Sequence, residues 1–389
     1  MNKINILYFS SSRGIGITYH LTEYIQVLKR KGVNIIAVYG GPIEGKQFDL
    51  IKSLNENNII NLHIPQLESI NPVHIIKNII FIARLIDEND VNIIQCQGNI
   101  NLIITFFATK VSNKKTRKFT YFHSFPLNYF KNINNQNIIL HILMVFYNYF
   151  LDCVFPVSNQ TRKSLLDAGL NHEKAVVIHN GLDFVKINKF KSKNLNKDEK
   201  KILDRIGNKK YVIYAAQLEE HKGHKILLNS FKLLSNHLKD VKLVIVGDGS
   251  LRDELISFSV DCGLEEVVNF TGKLEYETTI KLMSKSYFAV VSSFSETFCH
   301  AMIEPMALGK PVITTNVGVA EETIYDGYNG FIVPVGDSYE MSKKINYLIE
   351  NPIITEKMGA NAKKTVEKKF SNEVISEKLL KIYNELLKT

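Results

Sequence analysis

The chain has 389 residues, of which 45% are apolar and 10% aromatic, and a formal net charge of +9. That length exceeds one ordinary core and predicts two domains, each with enough apolar content to bury a sizeable core. Four widely spaced cysteines, Cys96, Cys153, Cys262 and Cys299, form no CxxC pair, which excludes a disulfide framework and fits a reducing cytoplasm.

Taken in chain order, short apolar runs alternate with helical patterns. The opening MNKINILYFS enters a strand-like run without a basic region, a long apolar core or a small-residue cleavage site, so no signal peptide is expected. In ITYHLTEYIQVLKRKG, residues Ile17, Leu21, Ile25 and Leu28 recur at helical spacing until Gly32. VNIIAVYGG, VNIIQCQG, KFTYFHS, CVFPVS and AVVIHNG then read as strands. The apolar stretch IILHILMVFYNYFLDCVF is interrupted by His141, Asn148 and Asp152 and is too polar for a membrane span. Residues 186–210 are polar and lysine-rich and read as a linker. Beyond them YVIYAAQ, KLVIVGDG, VVNFTG, YFAVVSS, KPVITT and GFIVPV resume the alternation. A last helix, about Asn372 to Leu387, carries Ile375, Leu379, Ile382, Tyr383 and Leu386 on one broad face, with Ser371 as its cap. Strands alternating with helices imply an α/β fold of two doubly wound units. Their ligands belong at the C-terminal ends of the strands, in a cleft between the two.

Charge is uneven. Residues 1–185 hold 18 Lys and Arg against 12 Asp and Glu, and Val91 to Leu151 contains no acid at all. Within that stretch Lys110, Lys114, Lys115, Arg117, Lys118 and Lys131 attract anions. Phe106, Phe107, Phe125, Tyr129 and Phe130 interleave with them, so residues 110–131 are expected to contact an anionic membrane surface. No nucleic-acid motif accompanies the basic excess, and nucleic acid is not expected as a partner.

The chemistry concentrates in SETFCHAMIEPMALGKPVITT, residues 295–315. Glu296 follows a buried strand with a polar end and precedes a helix. The backbone amides of Phe298, Cys299 and His300 then form a helix start suited to phosphate. Glu304 lies about two turns along, where a carboxylate can accept two hydrogen bonds from a vicinal diol such as a ribose. Pro305 removes one helix bond and Gly309 ends the helix. Read alone, two glutamates on a helix fit a solvated face; the flanking strand and the Gly-Lys-Pro turn favour a site.

This E-x7-E pattern, followed by GKPVI, resembles the signature of the family-four retaining glycosyltransferases, enzymes of the GT-B fold with two facing Rossmann-like domains. The resemblance extends over nearly the whole chain. VSNQTRKSLLDAG…AVVIHNGLD (157–183), KLVIVGDGSLRDEL, NFTGKL and VGVAEETIYDGYNGFIVPVGD match the family's segments in order. It implies an N-terminal acceptor-side domain over 1–190, with the C-terminal helix 372–389 packing back on it, and a nucleotide-sugar domain over 205–371. It also implies roles. Glu304 would hold ribose hydroxyls, and Glu296 would hold the donor sugar over the diphosphate. Phe298, Cys299 and His300 would contact the distal phosphate and sugar through their amides. Lys222 would pair with the diphosphate. The backbone of Leu274 would read the base, Gly16 would let phosphate approach, and His123 would lie near the reacting sugar. His20, one turn past Gly16, could reach the same cleft. Two positions depart from the family. Gln217 stands where the family usually has Arg, and could serve as a neutral structural cap instead. The N-terminal glycines read G-I-G.

The resemblance implies a hexosyltransferase that moves a hexose or N-acetylhexosamine from a nucleotide diphosphate, UDP on family frequency, to a lipid-linked or growing surface polysaccharide. The setting expected is cytoplasmic, peripheral at the inner face of the membrane. No Asp-x-Asp occurs, and the His and Cys spacing does not suit zinc, so neither metal nor cofactor is expected. Two alternatives share the features: a sugar-nucleotide epimerase of the same fold, and a non-catalytic glycan-binding partner subunit.

Overall fold

A computed structural model describes residues 3–10, 24–41, 51–52, 54–123, 136–207, 209–234 and 241–388. Gly16, His20, Phe125, Tyr129, Phe130 and Lys131 lie outside these residues. The chain divides into two units, one of Met1–Leu182 with Asn372–Thr389, the other of Asp183–Ser371.

The first unit is built on a six-stranded parallel sheet in the order β3-β2-β1-β4-β5-β6. Its strands are β1 (Asn5–Ser10), β2 (Asn34–Gly40), β3 (Ile60–Ile64), β4 (Ile93–Cys96), β5 (Arg117–Phe122) and β6 (Cys153–Pro156). Helix α1 (Pro72–Glu88) crosses from β3 to β4, α2 (Asn99–Val111) from β4 to β5, and α3 (Gln136–Phe150) from β5 to β6; α4 (Asn159–Asp167) follows, capped by Ser158. Side chains alternate across a strand. Leu7, Phe9, Ile94 and Cys96 therefore enter the core beneath α1 to α3, with Ile82, Ala108 and Met144. Their neighbours Tyr8 and Gln95 face the opposite side. There the C-terminal helix Asn372–Leu386 lies, its Tyr383 hydroxyl donating to Gln95 Oε1 at 2.7 Å and its ring against Phe119.

The second unit carries the same order in mirror listing, β12-β11-β10-β7-β8-β9, all parallel. Two helices, α5 (Phe184–Ser192) and α6 (Lys197–Ile206), precede β7 (Lys210–Ala215). Then come α7 (His224–Leu233), β8 (Val241–Val246), α8 (Arg252–Asp261), β9 (Val268–Gly272), α9 (Tyr276–Lys285), β10 (Phe288–Val291) and α10 (His300–Ala307). β11 (Val312–Thr315), β12 (Gly330–Val333), α11 (Ser338–Glu350) and α12 (Pro352–Phe370) complete it. Both orders are the strand order of dinucleotide-binding α/β sheets. Each has one switch point where a crevice opens, β1/β4 in the first unit and β7/β10 in the second. The two-unit architecture is that of the GT-B glycosyltransferases.

Three sequence expectations are corrected. Residues 186–210 are not a linker. They form α5 and α6, and the second unit begins at Asp183 rather than near 205. The lysines misled: Glu199 is fully buried, closing a capping box with Asn196 and pairing with Lys281 at 3.1 Å, while Ile202 and Ile206 enter the core. AVVIHNG is not a strand. Beside β6 it forms an isolated bridge, with Val176 N–H to the Val154 carbonyl and Ile178 N–H to the Pro156 carbonyl, both at 3.0 Å. The edge strand β3 was missed; its five residues alternate Ile60, Leu62, Ile64 with polar partners. The basic stretch is also less open than its composition suggests. Arg117 and Lys118 both pair with Asp152, at 3.1 and 3.5 Å, and Phe106 is half-buried among aromatic rings.

Candidate active site

Three loops at the C-terminal edge of the second sheet are stitched together. The turn after β7 is a short 3-10 helix, Glu220–Lys222, ending at Gly223. Gly223 has φ +64°, and a Cβ there would lie 2.1 Å from the Ser292 carbonyl oxygen, so only glycine lets this turn meet the end of β10. The Lys222 carbonyl accepts from the Tyr214 hydroxyl at 3.0 Å and the Ser292 hydroxyl at 3.1 Å. Phe294 N–H donates to the His221 carbonyl at 2.8 Å. The loop after β8 joins through Leu218 N–H to the Asp248 carbonyl at 3.1 Å and through the Glu219 carboxylate, which accepts from Ser250 N–H at 3.0 Å and its hydroxyl at 2.8 Å.

This frame brings Lys222 and Glu296 together although 74 positions separate them. Lys222 Nζ lies 2.6 Å from Glu296 Oε1, with side chains only 16% and 14% exposed. The same carboxylate accepts from Ser293 Oγ at 2.8 Å, and Ser293 Oγ bonds the Tyr214 hydroxyl at 2.9 Å. In this partly desolvated pair Ser293 further holds the Glu296 carboxylate, while Tyr214 and Ser292 fix the Lys222 backbone through its carbonyl. Burial and the nearby Glu296 charge push the Tyr214 phenol well above its ordinary range, so it stays a hydroxyl.

Helix α10 starts at Cys299, which has φ +78° in the left-handed region, a strained backbone for a side-chain-bearing residue. Its thiol does not cap the helix; burial, above all, and the Glu296 charge hold it protonated. The corner packs against Gly318 (φ +61°), where a Cβ would lie 2.6 Å from the Phe298 carbonyl oxygen. The turn thus directs the backbone at Phe298, Cys299 and His300 around the edge of the sheet. On α10 itself Met302, Ile303, Pro305, Met306 and Ala307 are buried, so His300, Ala301 and Glu304 make up its less buried strip. Glu304 and His300, four apart, share that face.

Gln217 is exposed in the loop after β7, and Leu274 lies in the loop after Gly272 at the end of β9, the edge strand. In the first unit, His123 directly follows β5. Its ring stacks on Tyr121 with centroids 5.3 Å apart, and burial pushes it down to about 4 against a side-chain hydrogen bond with Asn180 that raises it. It is a neutral imidazole at physiological pH. Among the described residues no three His, Cys, Asp or Glu side chains gather as metal ligands would. Sequence reasoning missed Tyr214, Ser293, Gly223 and Gly318. The two glycines stood in the Lys-Gly and Val-Gly-Val contexts that could have marked them; Tyr214, inside a strand, left no such mark.

Two Rossmann-type parallel sheets, one with a lysine–glutamate pair beside a helix start at its switch point, are the architecture of a class of sugar-transferring enzymes. Family models agree. Residues 15–186 match Glycosyltransferase Family 4 and residues 196–365 match Glycosyl transferases group 1. The chain belongs to this glycosyltransferase family and is a glycosyltransferase. It is 31% identical over 242 residues to the capsular polysaccharide biosynthesis glycosyltransferase CapM of Staphylococcus aureus, covering 60% of this chain and 62% of that one. A glycosyltransferase from Rickettsia africae superposes over the full length of both chains with a TM-score of 0.82 and 25% identity. Anabaena HepE, solved with UDP-glucose, shares the fold over 98% of this chain and all of its own, with a TM-score of 0.76 and 22% identity.

Proposed function

We propose that this enzyme moves a hexose or N-acetylhexosamine from a UDP-sugar to a lipid-linked or growing surface polysaccharide, with retention and without a metal. The observation that carries this reading is the Lys222–Glu296 pair at the β7/β10 switch point, beside an uncapped helix start. An ammonium offers three donors. One is engaged by Glu296, which leaves Lys222 able to meet a diphosphate while Glu296 turns its second oxygen to sugar hydroxyls. The amides around Cys299 meet the distal phosphate. Glu304 takes the ribose diol, and Leu274, three strand spacings away at about 14 Å, reads the base through its backbone. HepE, with UDP-glucose bound on the same fold, supports a uridine donor, and the kinship with CapM supports a capsule-type acceptor.

Breaking the sugar–phosphate bond builds positive charge on the anomeric carbon and negative charge on the leaving diphosphate. Fixed donors aimed at the diphosphate stabilise that charge, and losing one such contact costs about 3–4 kcal/mol. The departing phosphate oxygen takes the acceptor hydroxyl's proton on the same face as the new bond forms, which gives retention without a protein nucleophile. His123, held neutral, serves as a hydrogen-bond partner for sugar hydroxyls and not as a charged acid. Gln217, exposed in the loop after β7, completes the phosphate surroundings. The enzyme works at the inner face of the cytoplasmic membrane as a peripheral protein; among the described residues no helix is long and apolar enough to cross a bilayer.

The test is thermal unfolding against a panel of sugar nucleotides in the presence of EDTA. A UDP-linked hexose or N-acetylhexosamine should raise the midpoint by several degrees, unchanged by the chelator. A panel without any responder, or a response abolished by EDTA, contradicts the reading.

A further inference from the structure

Three neighbouring helices of the first unit carry apolar side chains on their outward faces, where a helix on the surface of a globular protein ordinarily carries polar ones. On α1 they are Val73, Ile76 and Ile80, at helical spacing, with Ile76 57% exposed. On α2 a stripe of Ile103, Phe107 and Val111 repeats every four residues. On α3 the set is Ile142, Val145 and Tyr149, with Tyr149 74% exposed. The opposite faces of these helices already fill the core, so each is apolar on two sides. The helices are side by side. α1 packs along α2, and the Phe106 ring of α2 meets Phe146 and Tyr149 of α3 at 5.8 and 6.4 Å. The stripes therefore join into one surface larger than the scattered apolar residues of an ordinary monomer.

Charge says what covers it. Helices α2 and α3 contain no acidic residue. Lys77 and Arg84 on α1 and Lys110 on α2 are exposed and fall on the same faces as the apolar stripes by spacing. Acids occur only in the last turn of α1, where Asp87 accepts from Ser112 and Asn113. A second copy of the chain would bring two faces of like positive charge together, which disfavours self-association. A bilayer with anionic headgroups accepts apolar side chains between the lipids and basic ones at the phosphates, and so fits both features.

We propose that the α1–α2–α3 face is the surface by which this enzyme docks on an anionic lipid bilayer. This deepens the reading that the acceptor is lipid-linked, and rests on it. It places the contact on helix faces of the first unit, which include Lys110, rather than along the whole basic stretch 110–131, where Lys114, Arg117 and Lys118, three of the five described basic residues, are engaged with Asp90 or Asp152.

The full chain is floated with vesicles of phosphatidylcholine alone and of equal parts phosphatidylcholine and phosphatidylglycerol. The wild type should partition to the anionic vesicles. Two exposed triple variants, Ile103→Ser/Phe107→Ser/Val111→Ser and Lys77→Glu/Arg84→Glu/Lys110→Glu, should each lower the partition coefficient at least about tenfold. Both should keep the wild-type thermal midpoint and its response to UDP-sugar. A wild type that floats with neither vesicle overturns the proposal. Variants that float as well as the wild type overturn it too, since the contact then lies elsewhere. A wild-type dimer in sedimentation that the serine variant splits, without flotation, makes the face a self-interface and likewise overturns it. The UDP-sugar response is read separately, so a failed flotation leaves the donor assignment standing, and a failed donor response does not bear on flotation.

Discussion

At the switch point of the second unit, between β7 and β10, a lysine and a glutamate form a 2.6 Å ion pair braced by Ser293 and Tyr214. Among the described residues at the corresponding point of the first unit, between β1 and β4, the buried polar side chains are neutral amides and phenols. Gln97 donates to the Tyr8 hydroxyl at 2.6 Å, Gln95 to the Tyr24 hydroxyl at 2.8 Å, and Tyr383 to Gln95 at 2.7 Å. One strand order thus carries two chemistries. The charged pair keeps partial exposure, whereas the amide and phenol network is buried beneath the C-terminal helix, where an unpaired fixed charge would be costly. The difference between the two units is therefore written in the polar side chains at the strand ends and not in the topology.

The sharpest way to break this contrast is to neutralise the charged side. Lys222→Ala leaves Glu296 largely buried without its cation and, on the proposed reading, removes a diphosphate contact. Donor kcat/KM should fall by about 3–4 kcal/mol, some hundred- to a thousandfold. A loss under tenfold in steady-state kinetics would mean the ion pair is structural. Next comes the turn that positions it. Gly223→Ala places a Cβ against the Ser292 carbonyl in a left-handed backbone, and should cost about 2–3 kcal/mol in denaturant unfolding. Unchanged stability would show that the loop yields.

Acid should probe both units alike. Burial pushes His123, in the first, and His224, in the second, each down to about 4 from an ordinary 6.5. The unfolded chain protonates below pH 6.5 while the folded one resists until about pH 4. Stability is thus fully present above 6.5 and drains away as pH falls through that window. Each imidazole should remove about 2 kcal/mol between pH 7 and pH 5. His224→Gln should flatten the slope by its share in urea titrations; an unaltered slope would assign the acid sensitivity elsewhere. The smallest effect is expected from Gln217→Arg, which restores a guanidinium where the family usually carries one. Donor KM should fall severalfold, by about 1 kcal/mol, and a rise would show that the position faces away from the phosphates.

The same contrast governs what could be read from sequence. All six strands of the second unit were legible, because each apolar run is bounded by a turn and all but the half-buried edge strand β9 are mostly buried. In the first unit β3 was missed and AVVIHNG over-read, since both lie at a sheet edge where burial is partial and the apolar signal weakens. Lysine-rich α5 and α6 looked like linker because their stability comes from Glu199 and Lys281, a buried pair 82 positions apart. At the site, Lys222, Glu296 and Glu304 carried a motif. The strained backbone at Cys299 carried none, because cysteine is not a residue that announces a left-handed turn. Nor did the Tyr214–Ser293 brace, which exists only once β7 and β10 are adjacent.

The most direct measurement is calorimetric titration of UDP into the wild type and the Glu304→Ala protein, both in EDTA. Binding by the wild type, weakened at least about tenfold by loss of the ribose carboxylate, is the predicted result. Equal affinity of the two proteins, or binding that appears only when a divalent cation is supplied, would contradict a metal-free nucleotide-sugar grip at the β10–α10 turn.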